Sequence, residues 1–105
     1  MKIPSLNTNH PHVGLLAIQI FLPHCHSLKE KRKIIKSVIE KVRSRFNVSI
    51  AEIEYHDKWQ RCTLGVVIIA NNSGRVEKSL DEVFKFIDDR LLGSGEIISK
   101  EITFL

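Results

Sequence analysis

This chain of 105 residues has few cysteines, prolines and glycines and no long apolar run. Two cysteines, Cys25 and Cys62, are too few for a disulfide framework. They point to a reduced, cytoplasmic protein. The longest apolar stretch, Val13–Leu22, is interrupted by Gln19 and is far shorter than the ~18 residues of a membrane span. No membrane partner is expected. Met1–His12 carries one lysine and no apolar stretch, which excludes a secretory signal. Its prolines, asparagines and histidines predict a flexible arm over 1–12, leaving 13–105 as a single domain. No repeat or low-complexity tract is present. Acidic residues are the minority: the formal charge is +4, which favours acidic partners such as nucleic acid or an anionic surface.

The positive charge is concentrated. From Lys29 to Arg45 there are eight basic residues, with only Glu30 and Glu40 against them, a local excess of +6. This segment reads as one amphipathic helix opened by the capping box Ser27-x-x-Glu30. Leu28, Ile34, Ile35, Val38, Ile39, Val42 and Phe46 recur at helical spacing as its core face. Lys29, Lys31, Arg32 and Lys33 crowd its first two turns. A helix N-terminus is already partly positive, so each uncompensated cation there costs roughly 0.3–1 kcal/mol. Lys31 falls on the apolar side, where snorkelling of its ammonium to water is the expected solution.

The remaining pattern predicts strands over Val13–Leu22, Val48–Tyr55, Trp59–Ala70 and Glu96–Phe104, and a second helix over about Arg75–Leu92. His56-Asp57-Lys58 reads as a hairpin turn. The order β-α-β-β-α-β predicts a ferredoxin-like α+β sandwich. Its four-stranded antiparallel sheet has the strand order 4-1-3-2, with both helices on one face. In that topology the loop Pro23–Ser27, the start of the first helix and the His56–Trp59 hairpin share one edge. The opposite sheet face is left open, with Leu15, Ala17, Phe21, Val67 and Ile69 beside Gln19 and Thr63. An apolar face in water marks an interface, which makes a homodimer through this face an expectation.

The segments SLKEKR, RFNVSIAEIEYHDKWQR and LGVVIIAN, in this order, resemble the YlxP-like family of small bacterial proteins over about residues 13–104. The resemblance implies the ferredoxin-like fold. It also implies genes often found beside translation-initiation and ribosome-maturation factors, which points toward RNA or the ribosome. The chain departs from the family pattern in its longer N-terminal arm, in His24-Cys25-His26 and in Cys62.

The candidate site follows from charge and aromatics. At 100° per residue, Lys29, Arg32, Lys33, Lys36 and Arg43 share one side of the first helix. Such a line of cations suits a phosphate backbone; the competing reading is a solvated helix face. Tyr55-His56-Asp57-Lys58-Trp59-Gln60-Arg61 mixes rings with cations, which suits single-stranded RNA. Trp59 anchoring the hairpin against the sheet is the structural alternative, and both readings can hold. Cys62 is expected in the core. His24, Cys25, His26 and His56 lack the spacing of a structural zinc site, so neither metal nor cofactor is expected.

The expectation is therefore a non-enzymatic RNA- or ribosome-associated binding module. Lys29, Arg32, Lys33, Lys36 and Arg43 supply backbone contacts, and Lys58, Trp59 and Arg61 supply the rest. A module for acidic proteins shares the same basic face. The rival from another class is a phosphoryl-transfer enzyme of the acylphosphatase type, with its phosphate loop between the first strand and first helix. Such a loop needs glycine N–H groups to cradle the anion, and Pro23–Ser27 contains no glycine. No catalytic residue is assigned.

Overall fold

The computed structural model describes residues 11–105. The expected arm therefore lies almost wholly outside the described residues, and His12 already belongs to the first strand. The elements are β1 (His12–Phe21), α1 (Leu28–Arg45), β2 (Ser49–Glu54), β3 (Arg61–Ala70), α2 (Ser73–Arg90) and β4 (Glu96–Phe104). The sheet is antiparallel throughout, in the order β2-β3-β1-β4, which is 4-1-3-2 read from the other edge. The fold is the ferredoxin-like sandwich.

Local chemistry sets the element ends. Ser27 Oγ accepts the Glu30 N–H at 3.1 Å and caps α1. The Glu30 carboxylate in turn accepts the His26 N–H at 2.8 Å, one residue before the usual partner in a capping box. The Asn72 side chain accepts the Arg75 N–H at 3.2 Å. That cap starts α2 at Ser73, two residues earlier than the apolar periodicity suggests. Beyond α2, Gly93 takes φ +84, where a side chain is strained, while the Ser94 and Gly95 N–H groups both donate to Leu91 O.

Period-two alternation sorts the sheet. Leu16, Ile18, Ile20, Leu64 and Val66 are fully buried beneath the helices, together with Val42, Val76, Leu80, Val83 and Ile87. Leu15, Ala17, Gln19 and Phe21 point to the other face and are half-buried. Helix and sheet approach closely where a glycine allows it. A Cβ on Gly14 would lie 2.4 Å from Val76 Cγ1, and one on Gly95 would lie 2.6 Å from Leu22 Cδ2 and 2.7 Å from the Phe21 carbonyl oxygen. Register slips leave Ile98 unpaired in β4 and Ile53 unpaired in β2, two bulges that twist the outer strands. Among the described residues no helix is long and apolar enough to cross a membrane.

Gly95→Ala should destabilise the fold by about 1–3 kcal/mol, the usual cost of overpacking, because the obstructing Phe21 oxygen is backbone. Gly14→Ala should cost less, because the Val76 and Leu80 side chains can shift. Urea denaturation of the two variants tests this order; equal midpoints would contradict it.

Candidate nucleic-acid interface

The expected edge assembles, and a buried lysine holds it together. Lys31 does not snorkel. Its side chain is 0% exposed, and its ammonium lies 2.6 Å from Glu52 Oε2 on β2 and donates to Tyr55 O at 2.5 Å. The expectation fails because α1 packs directly against β2 at this turn and closes the route to water. It also fails because a carboxylate and a carbonyl stand ready beneath the stem. Glu52 keeps 17% of its side-chain exposure, so one end of the pair is partly hydrated. Cys62 lies under the same carboxylate. Its thiol is pushed up from an ordinary value of 9.0 by burial first, then by the charge of Glu52 and a hydrogen bond to it, with Lys31 opposing. It is a buried, protonated and unreactive thiol.

The residue that Lys31 grips is conformationally unusual. Tyr55 has φ +66, a left-handed backbone that costs a non-glycine residue about 1 kcal/mol or more. The ammonium on its carbonyl offsets that strain. The turn closes with the Lys58 N–H on Tyr55 O at 3.0 Å and His56 Nε2 donating to Glu52 O at 3.0 Å. Gln60 ties the hairpin to the β1–α1 loop. Its Nε2 donates to Pro23 O and Cys25 O, each at 3.2 Å, and Leu22 N–H donates to Gln60 O at 2.9 Å.

This scaffold presents a concave site of about 630 Å³ with mostly apolar walls, lined by Phe21, Tyr55, Asp57, Lys58, Trp59, Gln60 and Arg61. Trp59 lies in the hairpin rather than in β3 and is 51% exposed. Arg61 stacks on Tyr55, its guanidinium carbon 5.6 Å from the ring centroid. Phe21 pairs with Arg61 across β1 and β3. That register places the site on the open sheet face. The pattern of Tyr55–Arg61 was legible in the sequence. Phe21 was not singled out for this site, and the signal for it was its place opposite Arg61 in the β-α-β-β register.

The cations of α1 divide. Arg32, Lys36 and Arg43 line a second groove, between α1 and the edge strand β2, with Ala51 and Glu52 on its far wall. Arg43 Nη2 also donates to Ile50 O at 3.1 Å, which holds one guanidinium against β2. Lys33 lies on the other flank of the helix beside His24, Cys25, Gly93 and Ser94. Lys29 is exposed at the first turn. The line of five cations is thus two flanks of one helix, and β2 stands between the α1 groove and the aromatic site.

In the β1–α1 loop the Cys25 N–H donates to Leu22 O, and the His26 N–H donates to the Glu30 carboxylate. Among the described residues no group of three or more His, Cys, Asp or Glu side chains is placed to hold a metal ion. Cys25 and Cys62 are both free and buried.

Comparison with known proteins agrees with this architecture. Residues 13–101 match the family described as protein of unknown function (DUF503). The "Uncharacterized protein YlxP" of Bacillus subtilis (strain 168) is 38% identical over 76 residues, which are 72% of this chain and 83% of that protein. Among solved structures, the de novo designed ferredoxin-fold protein LFR1 1 aligns with a TM-score of 0.54 at 15% identity, over 89% of this chain and 82% of its own. A C-terminal segment of the alpha subunit of aIF2 from Pyrococcus abyssi aligns at 0.52 and 14% identity, over 96% of this chain and 53% of its own. At these identities the solved structures speak to the fold alone.

Lys31→Met should destabilise the domain by about 3 kcal/mol. That is the low end for breaking a buried pair, because Glu52 retains some water. Adding Glu52→Gln should recover most of the loss by removing the orphaned charge. Chemical denaturation of the single and double variants is the measurement; a double variant no more stable than Lys31→Met would contradict the pairing.

Proposed function

This chain belongs to the DUF503 family, and from that premise we propose that it is a non-enzymatic, cytoplasmic module that binds single-stranded RNA, free or on the ribosome. The observation that carries the reading is the hairpin site: a half-exposed Trp59 with Tyr55 and Phe21, flanked by Lys58 and Arg61. Bases stack on rings whatever their identity, and Arg and Lys meet the backbone. The groove of Arg32, Lys36 and Arg43, which also holds Glu40 and Glu52, offers a second set of cations on the far side of the β2 edge. A bound strand that uses both must pass over that edge, a path open to flexible single strands and closed to a stiff duplex.

The lower half of the open face suits a second contact, with another copy of the chain. There Val67 pairs with Leu15 and Ile69 with Val13 across the two central strands, and Ile69 is 65% exposed. Four strands ~4.8 Å apart over six residues give roughly 400 Å² per copy. A standard interface takes about 800 Å² per partner. Self-association through this half is therefore weak, and it leaves the hairpin site uncovered.

Six cations, Lys29, Arg32, Lys36, Arg43, Lys58 and Arg61, give an expected salt slope of about −4.2 in log K against log salt for a single strand. Trp59→Ala should cost about 1–3 kcal/mol of binding. Combined Lys29→Glu, Arg32→Glu and Lys36→Glu should weaken all RNA sequences alike, because phosphate contacts position without specifying. The triple variant should still fold, since these residues are exposed. Fluorescence anisotropy with labelled homopolymers reads all three. A salt-independent interaction, or undiminished binding by the triple variant, would refute the role of α1. Capture from lysate that survives ribonuclease would point to an acidic protein instead.

For self-association, sedimentation should show a dimer only at high protein concentration, and Val67→Asp should remove it. A parent that stays monomeric at every concentration would reject the contact.

A further inference from the structure

We propose that the hairpin site is a guanine site. The rings of Trp59 and Tyr55 hold the base, Lys58 and Arg61 meet its phosphate, and the Asp57 carboxylate reads its Watson–Crick edge. The proposal rests on the RNA reading above and adds the base to it.

The argument starts from Asp57. Among the described residues it is the only carboxylate lining a site otherwise built from rings, cations and one amide. A site for phosphate alone gains nothing from it, because a carboxylate repels phosphate. A carboxylate is useful where a ligand presents donors, since in its ionised form it only accepts. Single-stranded bases display their Watson–Crick edges to proteins. Guanine carries two adjacent donors there, on N1 and on the exocyclic N2, at the spacing of two carboxylate oxygens. Adenine, cytosine and uracil each offer a single donor group. A two-pronged, charge-assisted bond is stronger and more directional than a single one.

Among the other polar groups lining the site, Gln60 Oε1 and the Tyr55 hydroxyl are neutral acceptors, and a charged acceptor binds donors more strongly than either. The Gln60 amide nitrogen is committed to the carbonyls of Pro23 and Cys25. Lys58 and Arg61 have no acceptor atoms and so match the phosphate rather than a donor edge. The depression is open on one side and has a volume of about 630 Å³, within the ~300–1,000 Å³ range of small-molecule sites. Tyr55 is held by Lys31 through its carbonyl, so one wall of the site is preorganised.

Trp59 is the only tryptophan of the chain, so its fluorescence reports this site directly. The full chain is titrated with GMP, AMP, CMP and UMP at one salt concentration, alongside anisotropy with homopolymeric RNA. GMP should quench Trp59 at a concentration at least about tenfold lower than the other three nucleotides, the discrimination typical of a bidentate base contact. Asp57→Asn should reduce that preference to within about twofold; Lys58→Ala should weaken all four nucleotides alike and keep the preference. Asp57 is exposed at a turn, and circular dichroism checks that its variant folds. Equal quenching by all four nucleotides, or a guanine preference that survives Asp57→Asn, overturns the assignment while homopolymer binding keeps the RNA reading. If neither nucleotides nor homopolymers bind, both fall.

Discussion

One buried ammonium holds the hairpin edge of this molecule in place. Lys31 leaves the first turn of α1, crosses the interface with the sheet and meets Glu52 and the Tyr55 carbonyl. Three separate segments depend on that meeting: the start of α1, the end of β2 and the hairpin that follows. A buried ion pair is seldom a large net source of stability, because desolvation offsets most of the attraction. What it supplies here is position. The left-handed Tyr55 and the bulge at Ile53 give the hairpin a shape that hydrophobic packing alone would not select. The lysine also changes the meaning of the crowded cations at the helix start, because one of the four is internal and has its counter-charge within the protein.

The remaining charges are spread over more than one surface. The groove of Arg32, Lys36 and Arg43 runs beside the edge strand, whereas the rings gather on the open sheet face. Lying beside Arg32, Lys36 and Arg43, with Arg43 bonded to Ile50 O, β2 is an edge flanked by positive charge. Such an edge discourages pairing with a strand from another molecule while leaving cations available to an anionic partner. The same side chains thus guard the sheet edge and serve the proposed function.

The architecture itself is neutral about function. A designed protein shares it at a TM-score of 0.54 and 15% identity, which shows how few constraints the β-α-β-β-α-β arrangement needs. The candidate site lies in the seven residues from Tyr55 to Arg61 and in the Phe21 that faces them. The β1–α1 loop is tied to the hairpin through Gln60, and its His26 N–H donates to Glu30.

Periodicity and a helix cap determine most of the fold. The apolar spacing from Leu28 to Phe46, the apolar run Val13–Leu22, the alternation along Trp59–Ala70 and the Ser27 cap are local signals read by backbone chemistry within a few residues. They settle element type and order, and order settles the sheet. The hairpin's mix of rings and cations was legible for the same reason, since its members are neighbours in the chain. Tertiary structure alone decided the fate of Lys31, because burial depends on what a distant strand places opposite it, and a lysine on an apolar face looks the same whether it snorkels or finds Glu52. It also divided Arg32, Lys36 and Arg43 from Lys33, since a helical wheel describes an isolated helix and not the strand and loop packed against its two flanks. Phe21 joined the aromatic site by cross-strand register, a relation between residues forty apart that no local pattern carries.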